Sequence, residues 1–267
     1  MKKFILLLAV LMMWLPCISS ASASYSNSRY NWGFSKGRDG KPAEAGRKMD
    51  EMLKKHGAVY KGDPAKKDIY LTFDNGYENG YTGQILDVLK KHQVPAAFFV
   101  TGHYLETAAG LTKRMVNEGH IVGNHSWYHP DLTTNSDEEI AKELNTVKTQ
   151  TEKLTGQRGM AYLRPPRGVF SERTLDVANK LGYKHIFWSL AFVDWNVNDQ
   201  KGAQYSYNNV MKQIHPGAVL LLHTISKDNA DALESIIVEL KKQGYTFKSL
   251  DDLMMSHELK EPMLFSL

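Results

Sequence analysis

Cysteine is almost absent from this chain. Cys17 is the only one in 267 residues, and it lies inside the first apolar stretch. The body of the protein therefore forms no disulfide, and any metal must be held by histidines and carboxylates. A small exported domain of eukaryotic type would carry disulfides; their absence suits a bacterial exported protein with a core large enough to do without them. Hydrophobic residues make up 42% of the chain and charged ones 23%, which supplies such a core. There is no long Lys/Arg block and no nucleic-acid motif, so DNA and RNA are excluded as partners. A net charge of +4 and a pI near 8.9 tolerate an anionic partner such as a bacterial wall without requiring one. No internal repeat or low-complexity linker appears.

The longest apolar run, residues 4–15, is too short to cross a bilayer comfortably. Lys2 and Lys3 precede it, and Pro16 and the small-residue site Ala21-Ser22-Ala23 follow. This is the pattern of a secretory signal peptide over residues 1–23, with a retained membrane anchor as the competing reading. The residues before Cys17 lack the small side chain of a lipoprotein processing site. The expectation is a secreted, extracytoplasmic, wall-associated protein with no stable membrane span after signal removal.

Residues 24–67 are polar with scattered aromatics (Tyr25, Tyr30, Trp32, Phe34) and one helix-like piece at 43–56. They read as an N-terminal strap over a domain at 68–267. From residue 68 onward, β-rich runs (68–73, 96–101, 120–125, 161–165, 185–190, 218–224, 245–250) alternate with helix-like segments. Those segments lie at 83–92, 111–118, 137–154, 171–181, 207–215 and 229–243. Ser136 with Glu139 forms a capping box, and Gly119, Gly182 and Gly244 are placed to end helices. Apolar strands alternating with helices indicate an α/β fold with a parallel sheet covered on both faces. About seven units in some 190 residues favour a distorted (β/α) barrel over an open doubly wound sheet.

Reactive side chains fall where those strands end: Asp74, His125, Arg164, Asp194 and His223. In a parallel barrel the C-terminal strand ends make one face, where active sites are built. Asn75-Gly76 looks like a hairpin turn, but helical rather than alternating residues follow it. His125 and His129, four apart in "HSWYH", share one face if that segment begins a helical turn, a spacing suited to Zn²⁺. Arg164, before two prolines, is placed to hold a carboxylate by bidentate contact. Asp194 suits an imidazole partner, and His223 a general acid of tuned pKa.

The ordered series "TFDNG", "HSWYH", "RPPRG", "DW" and "LLLHT" resembles the polysaccharide deacetylase family, carbohydrate esterase family 4, over residues 68–250. The resemblance implies a distorted barrel that removes N-acetyl groups from wall or chitin-like glycans with a divalent metal, usually Zn²⁺. It implies Asp74 as catalytic base, His125 and His129 as metal ligands, and Arg164 as the arginine that holds the base. Asp194 matches the acid that orients the last histidine, and His223 the general acid. The family's first motif usually has a second aspartate as third metal ligand. Here that position is Asn75, which implies weaker, more exchangeable metal binding. The third motif commonly has an aromatic where this chain has Arg167, whose backbone N–H matches the group that stabilises the oxyanion.

Both departures, with "NWGF" in the strap, resemble a subgroup that acts on peptidoglycan in endospore-forming bacteria. This implies N-acetylmuramic acid as the sugar, with muramic δ-lactam of the spore cortex as the later product. Arg167 would face the lactyl carboxylate that chitin lacks. The expected partner is the peptidoglycan strand, and the expected state a monomer. The competing readings are a deacetylase of N-acetylglucosamine units in peptidoglycan or chitin, and a catalytically weak wall-glycan-binding protein. A two-carboxylate glycosidase accounts less well for Asp74 and Asp194.

Overall fold

The computed structural model describes residues 25–259, so the expected signal segment at 1–23 lies outside the described residues. The chain runs through β1 (Tyr30–Asn31), α1 (Arg47–Lys55), β2 (Asp68–Asn75), α2 (Thr82–His92) and β3 (Ala96–Val100). Two short helices follow, α3 (Gly102–Thr107) and α4 (Ala109–Asn117), then β4 (Ile121–Asn124) and α5 (Asp137–Thr155). Next come β5 (Tyr162–Leu163), β6 (Val169–Phe170), α6 (Glu172–Lys180), β7 (Lys184–His185) and α7 (Ala203–Gln213). The described chain ends with β8 (Ala218–His223), α8 (Lys227–Lys242), β9 (Thr246–Phe247) and α9 (Leu250–Glu258).

Every expected strand run overlaps one strand of a parallel sheet ordered β7-β5-β4-β3-β2-β8, with β9 also against β2, although the run at 185–190 shares only His185 with β7. The sheet curls. The chain leaving β7 crosses to the other end of the sheet, where Ser189 N–H donates to Val219 O at 3.0 Å and Leu221 N–H to Leu190 O at 2.9 Å. One segment, residues 185–190, thus pairs with β5 at its start and β8 at its end and makes a seam. This is the (β/α) barrel architecture of the sequence reading, irregular at the seam.

Alternation along β2 explains where its side chains go. Ile69, Leu71 and Phe73 join the large cluster under the helices, and Phe73 stacks on Phe98 at 5.1 Å. Tyr70 lies in the interior cluster with Phe99, Ile186 and Val219. Thr72 and Asp74 follow Tyr70 on the interior face. The helices start and stop as their sequences dictate: the Ser136–Glu139 capping box is formed, and Gly119, Gly182 and Gly244 adopt positive φ (84°, 88° and 83°). Helices α3 and α9, and the small antiparallel pair β1–β6, are additions to the sequence reading.

Residues before β2 grip the seam. Val59 N–H donates to His185 O at 2.9 Å, and Phe187 N–H donates back to Val59 O at 2.8 Å. The Trp32 ring packs against Phe187 (4.7 Å) and Tyr60 (5.0 Å), while its indole N–H donates to Trp188 O at 3.0 Å. Gly168 permits this approach: a Cβ there would stand 2.9 Å from both Trp32 Cβ and the Trp188 ring, and its φ is +65°. Trp32 is only partly buried. Trp32→Ala is therefore expected to cost roughly 3 kcal/mol, the low end for a large aromatic, read as a lower midpoint in urea unfolding. A shift under about 0.5 kcal/mol, the size of a neutral surface change, would show that the seam stands without it.

Candidate functional site

At the C-terminal ends of the strands lies a cavity of about 980 Å³. Asp74, His125, His129, Arg167 and His223 line it, with Trp127, Tyr128, Trp188 and Trp195 among the aromatic walls. Arg164, Asp194 and Asn75 do not reach the cavity surface; each is buried behind a lining or neighbouring residue.

Asp74 and His223 are direct neighbours across β2 and β8, on the face that points inward. Arg164 is fully buried and donates from Nη1 to Asp74 Oδ1 at 2.8 Å. The contact is one hydrogen bond, not the expected bidentate pair. Nη2 is diverted to Thr72 Oγ1 (2.9 Å) and Phe187 O (3.4 Å), and Nε to Ile186 O (3.0 Å). The guanidinium also lies over the Phe99 ring at 4.2 Å, a favourable cation–π placement. Burial alone would raise the pKa of Asp74. Arg164 and the nearby His125 and His223 more than offset it, so the carboxyl stays below its ordinary value, ionised and fixed.

His223 is the opposite case. Its Nδ1 lies 2.7 Å from Asp194 Oδ1, and its backbone N–H donates to Asp194 Oδ2 at 2.8 Å. Burial by itself lowers the imidazole pKa, but Asp194 outweighs it and the net shift is upward. A further pair, absent from the sequence reading, holds Asp194. Asn229 Nδ2 of α8 donates to Asp194 Oδ2 at 2.5 Å, and Asn229 Oδ1 accepts from Ser206 Oγ of α7 at 2.8 Å. Both are fully buried positioning residues. Their only sequence signal was polarity on otherwise apolar helix faces.

His125 and His129 meet with ring centroids 4.8 Å apart, but not by the expected helical turn. The segment is a loop in which Ser126 (φ 63°) and His129 (φ 56°) are left-handed, a strained arrangement for residues with a Cβ. Its shape is imposed from outside: Trp127 and Tyr128 N–H both donate to Glu143 Oε2 of α5, at 2.9 and 2.8 Å. Gly102 leaves room for the Trp127 ring, which a Cβ would meet at 2.3 Å. Burial lowers the pKa of both imidazoles, that of His129 to about 4, so both are neutral near pH 7. His125 Nδ1 is engaged by Arg164 O at 2.8 Å, and its Nε2 lies 3.5 Å from Asp74 Oδ2.

Among the described residues no cluster of three His, Cys, Asp or Glu side chains forms a metal site. The donors at hand are two neutral imidazoles and Asn75. Asn75 Nδ2 donates to Thr224 Oγ1 at 2.7 Å, which leaves Oδ1 buried without a hydrogen-bond partner. An orphaned amide oxygen and two neutral imidazoles match a borderline-soft divalent cation in ligand type, with no charge from the donors themselves. Arg167 is exposed on the cavity wall in a left-handed conformation (φ 57°).

The polysaccharide deacetylase profile matches residues 61–186 of this chain. The chain is 54% identical over 238 residues to the peptidoglycan-N-acetylmuramic acid deacetylase PdaA of Bacillus subtilis, covering 89% of this chain and 90% of that protein. The solved structure of Bacillus subtilis PdaA, a family 4 carbohydrate esterase, matches with a TM-score of 0.85 over 87% of this chain and 99% of that one. A peptidoglycan-N-acetylglucosamine deacetylase of Bacillus cereus is 33% identical, over 76% of this chain and 74% of that protein.

The His223–Asp194 pair is open to a direct test. By histidine NMR, the His223 imidazole is expected to titrate above 6.5, its ordinary value. In Asp194→Asn the raising charge is gone and burial remains, so the midpoint moves below 6.5. An unmoved midpoint would show that Asp194 does not set it.

Proposed function

This chain belongs to the polysaccharide deacetylase family, carbohydrate esterase family 4, and on that premise we propose that it hydrolyses the N-acetyl group of N-acetylmuramic acid in peptidoglycan. One observation carries the reading: a carboxylate held ionised and an imidazole whose proton affinity is raised face the same cavity as cross-strand neighbours. Amide hydrolysis needs both, because water is a weak nucleophile and an unprotonated amine a poor leaving group. Asp74 takes the proton of the attacking water, with Arg164 keeping it anionic and fixed. His223 gives a proton from Nε2 to the departing nitrogen, since its Nδ1 faces Asp194. Asp194 selects that tautomer and stabilises the imidazolium, and Asn229 holds Asp194. The backbone N–H of Arg167 is our proposed donor to the oxyanion.

His125, His129 and Asn75 would hold the family's divalent metal, with Zn²⁺ favoured by the two imidazoles. When bound, such a cation supplies Lewis acidity at the reacting carbonyl and lowers the pKa of water. The neutral donor set suits weak, exchangeable binding. Muramic acid differs from glucosamine by a lactyl carboxylate, and the exposed Arg167 guanidinium offers it a charge-assisted hydrogen bond. The same reading makes the protein an exported monomer, delivered by residues 1–23, with residues 24–67 as a strap on a catalytic domain at 68–267. It would act outside the cytoplasmic membrane on spore-cortex peptidoglycan, where the freed amine closes to muramic δ-lactam. Among the described residues no helix is long and apolar enough to cross a membrane. A second reading, deacetylation of N-acetylglucosamine units, is favoured by the name of the Bacillus cereus relative.

Digestion of peptidoglycan glycan strands, with and without chelator, followed by mass spectrometry of the sugars, separates the readings. The expected outcome is acetyl loss from muramic acid. Acetyl loss from glucosamine moves the assignment to the second reading, and no product at all leaves a wall-glycan-binding protein. Asp74→Asn and His223→Ala are expected to lower turnover roughly a hundredfold to ten-thousandfold while glycan binding persists. Arg167→Tyr tests the sugar preference separately. It is expected to lower kcat/KM on muramyl glycans about tenfold to a hundredfold, the size of a lost charged hydrogen bond, and to spare chitin oligomers. Equal losses on both would remove Arg167 from substrate choice.

A further inference from the structure

Asparagine followed by glycine is the sequence most open to attack by the next backbone nitrogen on the side-chain amide, because glycine has no Cβ to obstruct ring closure. Asn75-Gly76 is such a pair, placed at the end of β2 beside Asp74. Gly76 is exposed, and nothing stands within 4 Å of where its Cβ would be. The surroundings of Asn75 are the reverse. It is fully buried, and its Nδ2 is fixed by Thr224 Oγ1 at 2.7 Å. The backbone on either side is pinned by one residue: Thr101 N–H donates to Asn75 O at 3.1 Å, and Thr101 Oγ1 to Gly76 O at 2.8 Å. Ring closure requires Asn75 to leave the extended conformation and its amide to swing toward the following nitrogen. All three hydrogen bonds oppose that movement.

We propose that Asn75 is a latent deamidation site which the fold restrains, with Thr224 as the restraining residue. In the reaction Gly76 N loses its proton to water and attacks Asn75 Cγ. The C–N bond to Nδ2 breaks, ammonia leaves, and a succinimide ring forms. Water then opens the ring at either carbonyl. Opening at one yields aspartate at position 75; opening at the other yields isoaspartate, which adds a methylene to the main chain. Nδ2 takes up the protons it needs to leave, and the sum is amide plus water giving carboxylate plus ammonium. The aspartate product turns a neutral oxygen donor at position 75 into an anionic one, and the Thr224 hydroxyl can rotate to donate to it. The isoaspartate product lengthens the strand end that carries Asp74. The chemistry is independent of the proposed function; only its effect on metal binding rests on that reading.

Full-length wild type, Thr224→Val, Thr224→Ser and Thr101→Val are incubated in mildly alkaline buffer, with urea-unfolded wild type as reference. Peptide mapping by mass spectrometry then follows Asn, Asp and isoAsp at position 75, and circular dichroism confirms that each variant is folded. Folded wild type is expected to convert far more slowly than the unfolded chain. Thr224→Val should convert about fivefold faster than wild type, as the loss of one neutral hydrogen bond implies, and Thr224→Ser at the wild-type rate. Thr101→Val should also accelerate conversion, and it provides the test if Thr224→Val does not fold. Conversion of folded wild type at the unfolded rate, or a folded Thr224→Val no faster than wild type, overturns the proposal. Isothermal titration of Asn75→Asp with Zn²⁺ addresses the donor reading alone: tighter binding than wild type supports it, and unimproved binding removes it while the modification stands.

Discussion

The hydrogen-bonded ion pair between Arg164 and Asp74 sets the terms for everything around it. A guanidinium with no solvent exposure is costly, and an unpaired one costs roughly 3–5 kcal/mol. The protein meets that cost with partners from separate parts of the chain: Asp74 and Thr72 on β2, and the carbonyls of Ile186 and Phe187 in the seam. Phe99 on β3 supplies the ring beneath. These partners converge only if the sheet is curled, so the charge pair and the barrel shape require each other. Diverting Nη2 to Thr72 leaves Asp74 Oδ2 free of the arginine and turned toward His125 Nε2.

The site sets two ionisable groups on adjacent strands in contrast. Asp74 sits against a cation and stays anionic; His223 sits against an anion and gains proton affinity. Each is governed by a buried partner that does not line the cavity, and Asp194 is itself held by Asn229 and Ser206. On the proposed reading these are a base and an acid whose proton affinities are biased in opposite directions before substrate arrives, the form of preorganisation that lowers barriers without rearrangement at the moment of reaction.

Much of this was legible in the sequence, and for a plain reason. Buried parallel strands read as unbroken apolar runs, so an acid or imidazole closing such a run stands out. Asp74, His125, Arg164 and His223 were all visible this way. What stayed hidden depended on contacts between distant segments. The path of the His125–His129 loop is forced by Glu143 on a helix, which in sequence resembles any surface glutamate. Asn229 and Ser206 looked like ordinary helix polar residues. Two of the four acceptors of Arg164 are backbone carbonyls, which carry no sequence signature, so a bidentate grip on Asp74 was the natural but mistaken expectation. The β1–β6 pair is two residues long on each side, too short for any periodicity to show.

The seam gives the N-terminal segment a different significance. Val59 and Trp32 hold residues 185–188 from outside, and the same stretch presents two carbonyls to Arg164 on the inside. The aromatic plug at Trp32 is thus connected to the Asp74 carboxylate by a short mechanical linkage, through one backbone segment and one guanidinium. In that sense the segment before β2 is less a wrapper than a tuning peg, with the position of Asp74 at the other end of the string.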